Sequence, residues 1–283
     1  MEQAGGVVVT GASTGIGAAI AAGLDKLGMR VFAGVRKDAD GDRLCAQASE
    51  RLTPLLLDVV NPDQIAAAAE RVEAELGGVP LRGLVNNAGI TVNGPLEFLP
   101  LADLRRQLEV NVVGQVAVTQ AFIPRLRRDR GRIVITGSTS GFFTPPMLGP
   151  YCMSKHAMEA FADALRLELR PWNIHVALLQ PGAIKSDIWD KGVRDSQHFV
   201  ASAPPQLREL YATMIEKTVQ LARHAAETAV SPDVVVDATV HALTSPRPRD
   251  RYLVGKNARV EKIIAKLPWR MRDKLVARTF GIR

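Results

Sequence analysis

The stretch Gly6-Val-Val-Val-Thr10-Gly-Ala-Ser-Thr-Gly15-Ile-Gly17 lies near the start of the sequence. Its first half is a short apolar run of β-branched residues, which is typical of a buried strand. Three glycines follow, and residues 18–27 then combine helix formers with an apolar stripe. A strand, a glycine turn and a helix offer free backbone N–H groups to a pyrophosphate. The spacing is not the general G-x-G-x-x-G, so a turn that merely connects two elements stays an alternative.

Similar apolar runs recur along the chain and alternate with helical patterns. We predict strands at 6–10, 30–36, 55–58, 81–86, 132–136, 174–179 and 251–254. The predicted helices are 18–27, 61–76, 101–128, 149–169 and 234–243, with Pro124 expected to kink the end of the third. This alternation predicts an α/β fold, a doubly wound, mostly parallel sheet of seven strands with helices on both faces.

No linker or repeat divides the chain, so we predict one domain over residues 1–283. The pattern loosens at 183–227, which we interpret as a substrate loop or lid. Residues 256–283 form a basic helical tail in this interpretation. Among 283 residues, 47% are hydrophobic and 23% are charged, which excludes a disordered chain. No apolar run reaches the length that spans a membrane.

The two cysteines, Cys45 and Cys152, are too few for a disulfide framework or a metal site. We therefore expect no metal and a reducing, cytoplasmic location. The net charge is +7, and eight Lys or Arg residues accompany only Glu261 and Asp273 between residues 257 and 283. Apolar residues are interspersed among these basic ones. The tail fits either a solvated face or peripheral contact with an anionic membrane. We expect no nucleic-acid partner.

The end of the second strand bears on the choice of dinucleotide. An acidic residue there accepts the hydroxyls of the adenosine ribose, whereas a basic residue binds a phosphate. Val35 and Arg36 supply no carboxylate and one guanidinium, and Lys37 adds a second positive charge. These residues favour NADP(H), with NAD(H) as the second candidate.

Tyr151 and Lys155 lie four residues apart at the start of a helix with an apolar stripe. This spacing places the phenol and the ammonium on one side of the helix, one turn apart. Because a nearby cation favours the phenolate, we expect the pKa of Tyr151 to fall below its usual value of about 10. The pair is a candidate for proton transfer, although the same spacing also arises by chance.

Several motifs occur together and in register between about residue 5 and residue 255. They are Thr10-Gly11-x-x-x-Gly15-x-Gly17, Asn86-Asn87-Ala88-Gly89, Asn111, Ser138, Tyr151-x-x-x-Lys155 and Pro181-Gly182. With these motifs the chain resembles the short-chain dehydrogenase/reductases, which have a Rossmann-type fold. The stretch that begins at Tyr151 is similar to the branch with retinol, hydroxysteroid and 3-hydroxybutyrate dehydrogenases.

The resemblance implies a role for each matching residue. Tyr151 would give or take the proton on the substrate oxygen, Lys155 would lower its pKa, and Ser138 would hydrogen-bond that oxygen. Asn111 would support a water molecule in the proton relay. Ser186 stands where the family often has a Thr that holds the carboxamide. The residues implied in cofactor binding are Gly11, Ser13, Thr14, Gly15, Ile16, Gly17, Arg36, Asp58, Val59, Asn87, Ala88, Gly89, Tyr151, Lys155, Pro181, Gly182, Ile184 and Ser186.

The substrate is suggested by apolar residues near these motifs, although half of them could simply be core. They are Phe142, Phe143, Pro145, Pro146, Met147, Leu148, Trp189, Phe199, Tyr211 and Met214. If they line a pocket, the substrate is a hydrophobic secondary alcohol or ketone of steroid, retinoid or acyl type. The alternatives are an NAD-dependent dehydrogenase of short hydroxy acids and a redox sensor without turnover. We expect His156, His175 and Cys152 to be structural. The resemblance also implies a homodimer or homotetramer.

Overall fold

The computed structural model describes residues 5–186 and 204–282. Its seven-stranded sheet has the order β3-β2-β1-β4-β5-β6-β7, and every pairing between neighbours is parallel. The strands are β1 Gly6–Val9, β2 Arg30–Val35, β3 Leu52–Leu56, β4 Leu81–Asn86, β5 Arg132–Thr136, β6 Val176–Pro181 and β7 Arg251–Val254. The doubly wound fold is confirmed. The order reverses between β1 and β4, and such a switch point is where open α/β sheets bind ligands.

Helices cover both faces of the sheet. They are α1 Gly15–Lys26, α2 Asp38–Cys45, α3 Pro62–Leu76, α4 Leu101–Leu108, α5 Gly114–Asp129, α6 Gly149–Glu168, α7 Pro205–Thr228, α8 Asp233–Thr244, α9 Lys256–Ala265 and α10 Trp269–Phe280. Successive strand residues point to opposite faces, so β4 sends Leu84 into one buried cluster with Phe122 and Met158 and Val85 into another with Ile20. These two apolar layers hold the carboxyl ends of the strands in place.

The third strand differs from the prediction of 55–58. It begins at Leu52 and contains Pro54, and it lies at the edge of the sheet. Pro has no N–H to donate, and an edge strand tolerates that loss because one side of its backbone is unpaired. The short helix α2 was not predicted. Its sequence is mostly polar, and among its residues only Gly41 is buried, so it lacks an apolar stripe.

The predicted helix at 101–128 is two α-helical segments, α4 and α5, joined by a π turn at Glu109–Val113. Helix α5 continues past Pro124 to Asp129, and the kink predicted there stays a prediction. The remaining boundaries of the predicted helices agree to within a few residues.

The predicted loop or lid at 183–227 contains a long helix, α7, which begins at Pro205. Trp189 and Phe199 lie outside the described residues. The tail has two helices, α9 and α10, rather than one. Among the described residues, no helix is both long enough and apolar enough to cross a membrane.

Candidate active site

The glycine turn between β1 and α1 is compact. Gly11 and Gly15 have φ angles of +63° and +59°, which favour glycine because other residues are strained there. A Cβ at Gly11 would lie 2.7 Å from the Ala88 Cα, and one at Gly17 would collide with the Gly11 carbonyl oxygen. Glycine is therefore required at these positions because the turn packs closely on itself and on the loop after β4.

The residues after β4 fasten this turn. Thr10 Oγ1 accepts hydrogen bonds from the backbone N–H groups of Asn87 (2.9 Å) and Ala88 (3.0 Å). In return, the Asn87 amide donates to the backbone oxygens of Thr10 (3.1 Å) and Gly11 (3.2 Å). Asn87 and Ala88, predicted for the cofactor site, thus join the ends of β1 and β4. Gly89 lies beside Asn111, since a Cβ there would be 3.4 Å from the Asn111 Oδ1.

The first turn of α1 starts at Thr14, whose side chain makes no capping hydrogen bond in the described structure. The N–H groups of this turn, which includes Ile16 and Gly17, are thus not satisfied by that cap. The N-terminus of a helix directly after a glycine turn fits the pyrophosphate of a dinucleotide. Ser186 also lies at this turn, because a Cβ at Gly15 would be 3.2 Å from the Cβ of Ser186.

The end of β2 carries exposed positive charge. Arg36 and Lys37 are both exposed directly after the strand. Arg43 on α2 adds a third positive charge, and its guanidinium donates to the Ser13 carbonyl oxygen (3.2 Å) and to Asp40 (2.7 Å). Sequence reasoning missed Arg43 because α2 itself was not predicted. This group of basic side chains borders the glycine turn.

Asp58 and Val59 follow β3 at the same edge of the sheet. The Asp58 Oδ1 accepts from the Val60 N–H (3.2 Å), and the Asp58 N–H donates to Gln64 (2.8 Å). Val59 is buried and lies against Gly114, where a Cβ would be 2.7 Å from the Val59 carbonyl oxygen. Both residues, which the resemblance implies in cofactor binding, are thus held in place after β3.

Tyr151 and Lys155 share one side of α6, with the ammonium 5.7 Å from the centre of the phenol ring. Lys155 is buried and donates to the Thr136 carbonyl oxygen at the end of β5 (2.8 Å). Ser138, two residues further on, hydrogen-bonds the Tyr151 side chain. Its hydroxyl also accepts from the Ser140 N–H (3.1 Å). The structure therefore brings Ser138, Tyr151 and Lys155 together.

The predicted fall in the pKa of Tyr151 is wrong. Burial raises the pKa of Tyr151 to about 12, and the hydrogen bond from Ser138 opposes this rise only in part. Burial also lowers the pKa of Lys155 to about 8. Desolvation disfavours both charged forms and is the largest cause of both shifts in pKa. Tyr151 is consequently protonated at neutral pH and can donate a proton.

Three buried amides form a ladder beside the site. Gln107, Asn111 and Gln115 are spaced four residues apart and bond the backbone between Ala88 and Val92. Four residues of an α-helix rotate about 40° beyond a full turn. A π turn rotates less per residue, so the π turn at Glu109–Val113 brings the amides back into line.

Asn111 occupies the centre of this ladder. Its amide donates to the Ile90 carbonyl oxygen (2.9 Å) and to the Ser154 hydroxyl (3.1 Å), and its oxygen accepts from the Ile90 N–H (2.8 Å). These bonds hold the loop after β4, while the predicted support of a water molecule stays a prediction. Gln107 and Gln115 were not predicted, although their spacing of four from Asn111 is a signal in the sequence.

The segment between Ser138 and Tyr151 carries the predicted apolar residues, which are partly buried. Met147 has a φ of +69°, and its carbonyl oxygen accepts from the Gly94 N–H (2.8 Å). Tyr211 on α7 donates to Glu97 (2.7 Å). The Tyr211 and Phe98 rings are nearly perpendicular, with their centres 5.9 Å apart. The contacts of Tyr211 link α7 to the loop that leads into α4, and the bond of Met147 links the segment before α6 to the same loop.

The end of β6 and the residues that follow it lead to the glycine turn. Pro181 and Ile184 are buried, and Ile184 forms a bridge with Val230. Gly182 packs against α9, because a Cβ there would lie 3.4 Å from the Ala258 nitrogen. The predicted residues from Pro181 to Ser186 therefore run from the end of β6 to the glycine turn.

The other candidates have structural contacts. His156 Nδ1 lies 2.9 Å from the Cys152 carbonyl oxygen, and His175 Nε2 lies 3.2 Å from that of Arg249. Cys152 is buried, and burial raises its pKa to about 11, so its thiol stays protonated. No cluster of potential metal ligands occurs among residues 5–186 and 204–282.

Comparison with known proteins finds similarity over most of this chain. The family model described as short chain dehydrogenase matches residues 6–197. Retinol dehydrogenase 7 of Rattus norvegicus is 36% identical over 258 residues, which cover 89% of this chain and 81% of that protein. The 17-beta-hydroxysteroid dehydrogenase type 6 of Homo sapiens is 33% identical, covering 97% and 88%. An NADPH-dependent 3-dehydrocapnine reductase of Ornithobacterium rhinotracheale is also 33% identical, covering 95% and 94%.

Solved structures share the whole fold. A short chain dehydrogenase of Burkholderia cenocepacia in complex with NADP has a TM-score of 0.72 and 26% identity, covering 99% of each chain. A short chain dehydrogenase/reductase of Burkholderia phymatum in complex with NAD has a TM-score of 0.76 and 25% identity, covering 92% of each chain. Such similarity extends from the glycine turn to the last strand.

Proposed function

The chain belongs to the short-chain dehydrogenase family of NAD(P)-dependent oxidoreductases, and from this premise we propose that it reduces or forms a carbonyl group on a hydrophobic substrate. The substrate would be a secondary alcohol or ketone of steroid, retinoid or acyl type. The observation that carries the proposal is the group of Ser138, Tyr151 and Lys155 at the edge of the sheet that also holds the glycine turn. This placement suits proton transfer beside a bound dinucleotide.

When bound, the nicotinamide supplies or takes the hydride. Tyr151 donates the proton to the carbonyl oxygen during reduction, because its raised pKa keeps it protonated at neutral pH. Ser138 orients the same oxygen through its hydroxyl. The Lys155 ammonium, while charged, stabilises the phenolate that remains after the proton has left. In the oxidative direction the same groups act in reverse.

We propose NADP(H) as the preferred cofactor. The exposed Arg36 and Lys37 after β2 offer positive charge to a ribose phosphate, and Arg43 lies at the adjoining turn. The NADPH-dependent relative and the neighbour in complex with NADP support this choice, whereas the neighbour in complex with NAD keeps NAD(H) as the alternative.

The hydrophobic substrate is supported by the partly buried Phe142, Phe143 and Met147 between Ser138 and Tyr151. Relatives named for retinol and for 17-beta-hydroxysteroids point in the same direction. A dehydrogenase of short hydroxy acids would need a polar partner for the substrate carboxylate. A redox sensor without turnover has no need of the complete set of Ser138, Tyr151 and Lys155.

The test is an absorbance assay with purified protein and matched panels of steroid, retinoid, acyl and short-chain hydroxy-acid substrates. Each panel is run with NADPH or NADP⁺ and with NADH or NAD⁺. We expect turnover of lipid-like substrates, with a higher kcat/KM for NADP(H). Turnover restricted to short hydroxy acids would contradict the substrate class, and dinucleotide binding without any turnover would support the sensor.

We also propose a cytoplasmic homodimer or homotetramer. Leu101, Val113 and Met153 are exposed large apolar residues on α4, on the π turn and on α6. The resemblance implies that helices in the regions 101–128 and 151–169 pair between subunits. Burying such residues against a second copy removes apolar area from water. Sedimentation equilibrium would show two or four copies, and a monomer at micromolar concentration would contradict the assignment.

A further inference from the structure

The two tail helices have inner faces that pack on the catalytic domain. On α9, Ala258 is fully buried beside Gly182, and Glu261 hydrogen-bonds Thr139 next to Ser138. The Lys262 ammonium lies 3.9 Å from the centre of the Phe142 ring. On α10, Phe280 is buried, and α10 packs on α7. The orientation of both helices is therefore fixed by contacts with their own chain.

The outer faces of these helices are apolar and unusually exposed. Ile263 and Trp269 are 66% and 63% exposed, and Met271 and Val260 are 57% and 56% exposed. Val260 and Ile263 are three residues apart on α9, and Met271 and Leu275 are four apart on α10, so each pair shares one side of its helix. Apolar residues exposed together in this way mark an interaction surface.

Basic side chains border this apolar surface. Arg259 and Lys266 are exposed on the same side of α9 as Ile263, while Lys274 and Arg278 are exposed beside Met271. Within residues 256–282, the ion pair of the tail joins Arg272 to Asp273 (3.6 Å), and none of these four cations forms an ion pair with a carboxylate of the described residues. Their charge is thus available to an external anion.

We propose that the outer faces of α9 and α10 dock on an anionic phospholipid bilayer. Apolar insertion and electrostatic attraction together hold a peripheral protein, while either signal alone is weak. Each Lys or Arg near an anionic surface adds attraction, and Trp269 has the side chain that favours the interface between headgroups and acyl chains. A protein partner would need acidic groups matched to each cation, whereas a bilayer provides diffuse negative charge. This inference does not depend on the proposed substrate.

The test is co-sedimentation of the full chain with vesicles of phosphatidylcholine that contain about 30 mol% phosphatidylserine, compared with phosphatidylcholine alone. We expect binding to the anionic vesicles only, with release in about 0.5 M salt. A charge variant, Lys266→Glu, Lys274→Glu and Arg278→Glu, should bind about 100-fold or more weakly. An apolar variant, Ile263→Gln with Met271→Gln, should bind about tenfold or more weakly.

Matched controls test whether the loss of binding comes from this surface or from a general change in net charge or exposed apolar area. Lys26→Glu, Arg105→Glu and Arg223→Glu make the same change in net charge at exposed sites outside the tail. Leu167→Gln replaces an equally exposed apolar residue on α6. Both controls should bind vesicles like the wild type, and unfolding curves with dinucleotide titration verify that each variant is folded.

Several outcomes would overturn the proposal. Wild-type protein that stays in solution with anionic vesicles would do so, as would a charge variant that binds like its control. If the wild type does not bind vesicles and the apolar variant dissociates an oligomer, the surface is instead an interface between two copies of the chain.

Discussion

The glycine turn after β1 depends on the geometry of its backbone. The Tyr151–Lys155 pair on α6 depends instead on two side chains whose charges are set by burial. In the turn, the position of Gly17 leaves no room for a Cβ beside the Gly11 carbonyl oxygen. In the pair, the spacing of four residues sets the relative position of the two side chains, but burial determines whether each group is protonated. The first region is therefore sensitive to added atoms and the second to changes in charge.

The largest effect on dinucleotide binding is expected from a substitution in the turn. Gly17→Val places side-chain atoms against the Gly11 carbonyl oxygen and the Asn87 amide, which must then move. We expect the affinity for the dinucleotide to fall about 100-fold or more, together with a loss of stability, because the cradle loses its shape. Fluorescence titration with NADPH and thermal unfolding measure the two effects.

Gly78→Ala is the matched control, since a Cβ at Gly78 meets nothing within 4 Å. That variant should bind NADPH like the wild type. Wild-type affinity in Gly17→Val would remove the distinction between the two regions.

The contrast explains how much the sequence could predict. The pattern of strand, glycines and helix predicts the turn at Gly11, Gly15 and Gly17, while the role of these glycines in cofactor binding rests on the resemblance. The pKa of Tyr151 was predicted in the wrong direction because desolvation depends on residues distant in sequence, which a spacing of four does not reveal. Arg43 was missed because α2 has no apolar stripe, and the edge position that lets Pro54 enter β3 is a property of the whole sheet.

The second prediction concerns pH. Lys155 has a pKa of about 8, so it is charged below pH 8 and neutral above it, whereas Tyr151 stays protonated to about pH 12. We expect ketone reduction to be independent of pH below 8 and to fall about tenfold by about pH 9 to 10, because the neutral amine no longer stabilises the phenolate. Alcohol oxidation, which needs the phenolate, should rise with pH.

Lys155→Arg tests the origin of this inflection. A guanidinium stays charged throughout the range, so any activity that remains should lack the fall above pH 8. An unchanged inflection in that variant would assign the titration to another group.

The third prediction concerns the ribose end of the site. Arg36→Ala removes a charged donor and should raise the KM for NADP(H) about tenfold, with little change for NAD(H). Steady-state kinetics with both cofactors measure the ratio. Arg105→Ala, an exposed Arg on α4, should leave both values unchanged. An equal loss for the two cofactors would show that Arg36 does not discriminate between them.

The smallest effect is expected at the amide ladder. Gln107 is fully buried, and it bonds the Val92 N–H (2.6 Å) and the Ile90 carbonyl oxygen (2.9 Å). Gln107→Leu removes the partner of the Val92 N–H, while the Ile90 carbonyl oxygen keeps its hydrogen bond from Asn111. The variant should lower the free energy of unfolding by about 1–3 kcal/mol. Urea unfolding measures the change, and Gln120→Leu, at an exposed position on α5, should change it little. Equal effects at the two positions would mean that the ladder contributes no stability.

The most direct test of proton transfer by Tyr151 is the rate of reduction by Tyr151→Phe, measured with NADPH affinity in the same protein. The account predicts that kcat/KM falls about 10²- to 10⁴-fold while the Kd for NADPH changes less than about threefold. Tyr252→Phe, which removes a buried hydroxyl bonded to His241, should retain activity. A Tyr151→Phe variant with near wild-type kcat/KM, or one whose loss is matched by lost NADPH binding, would contradict the account.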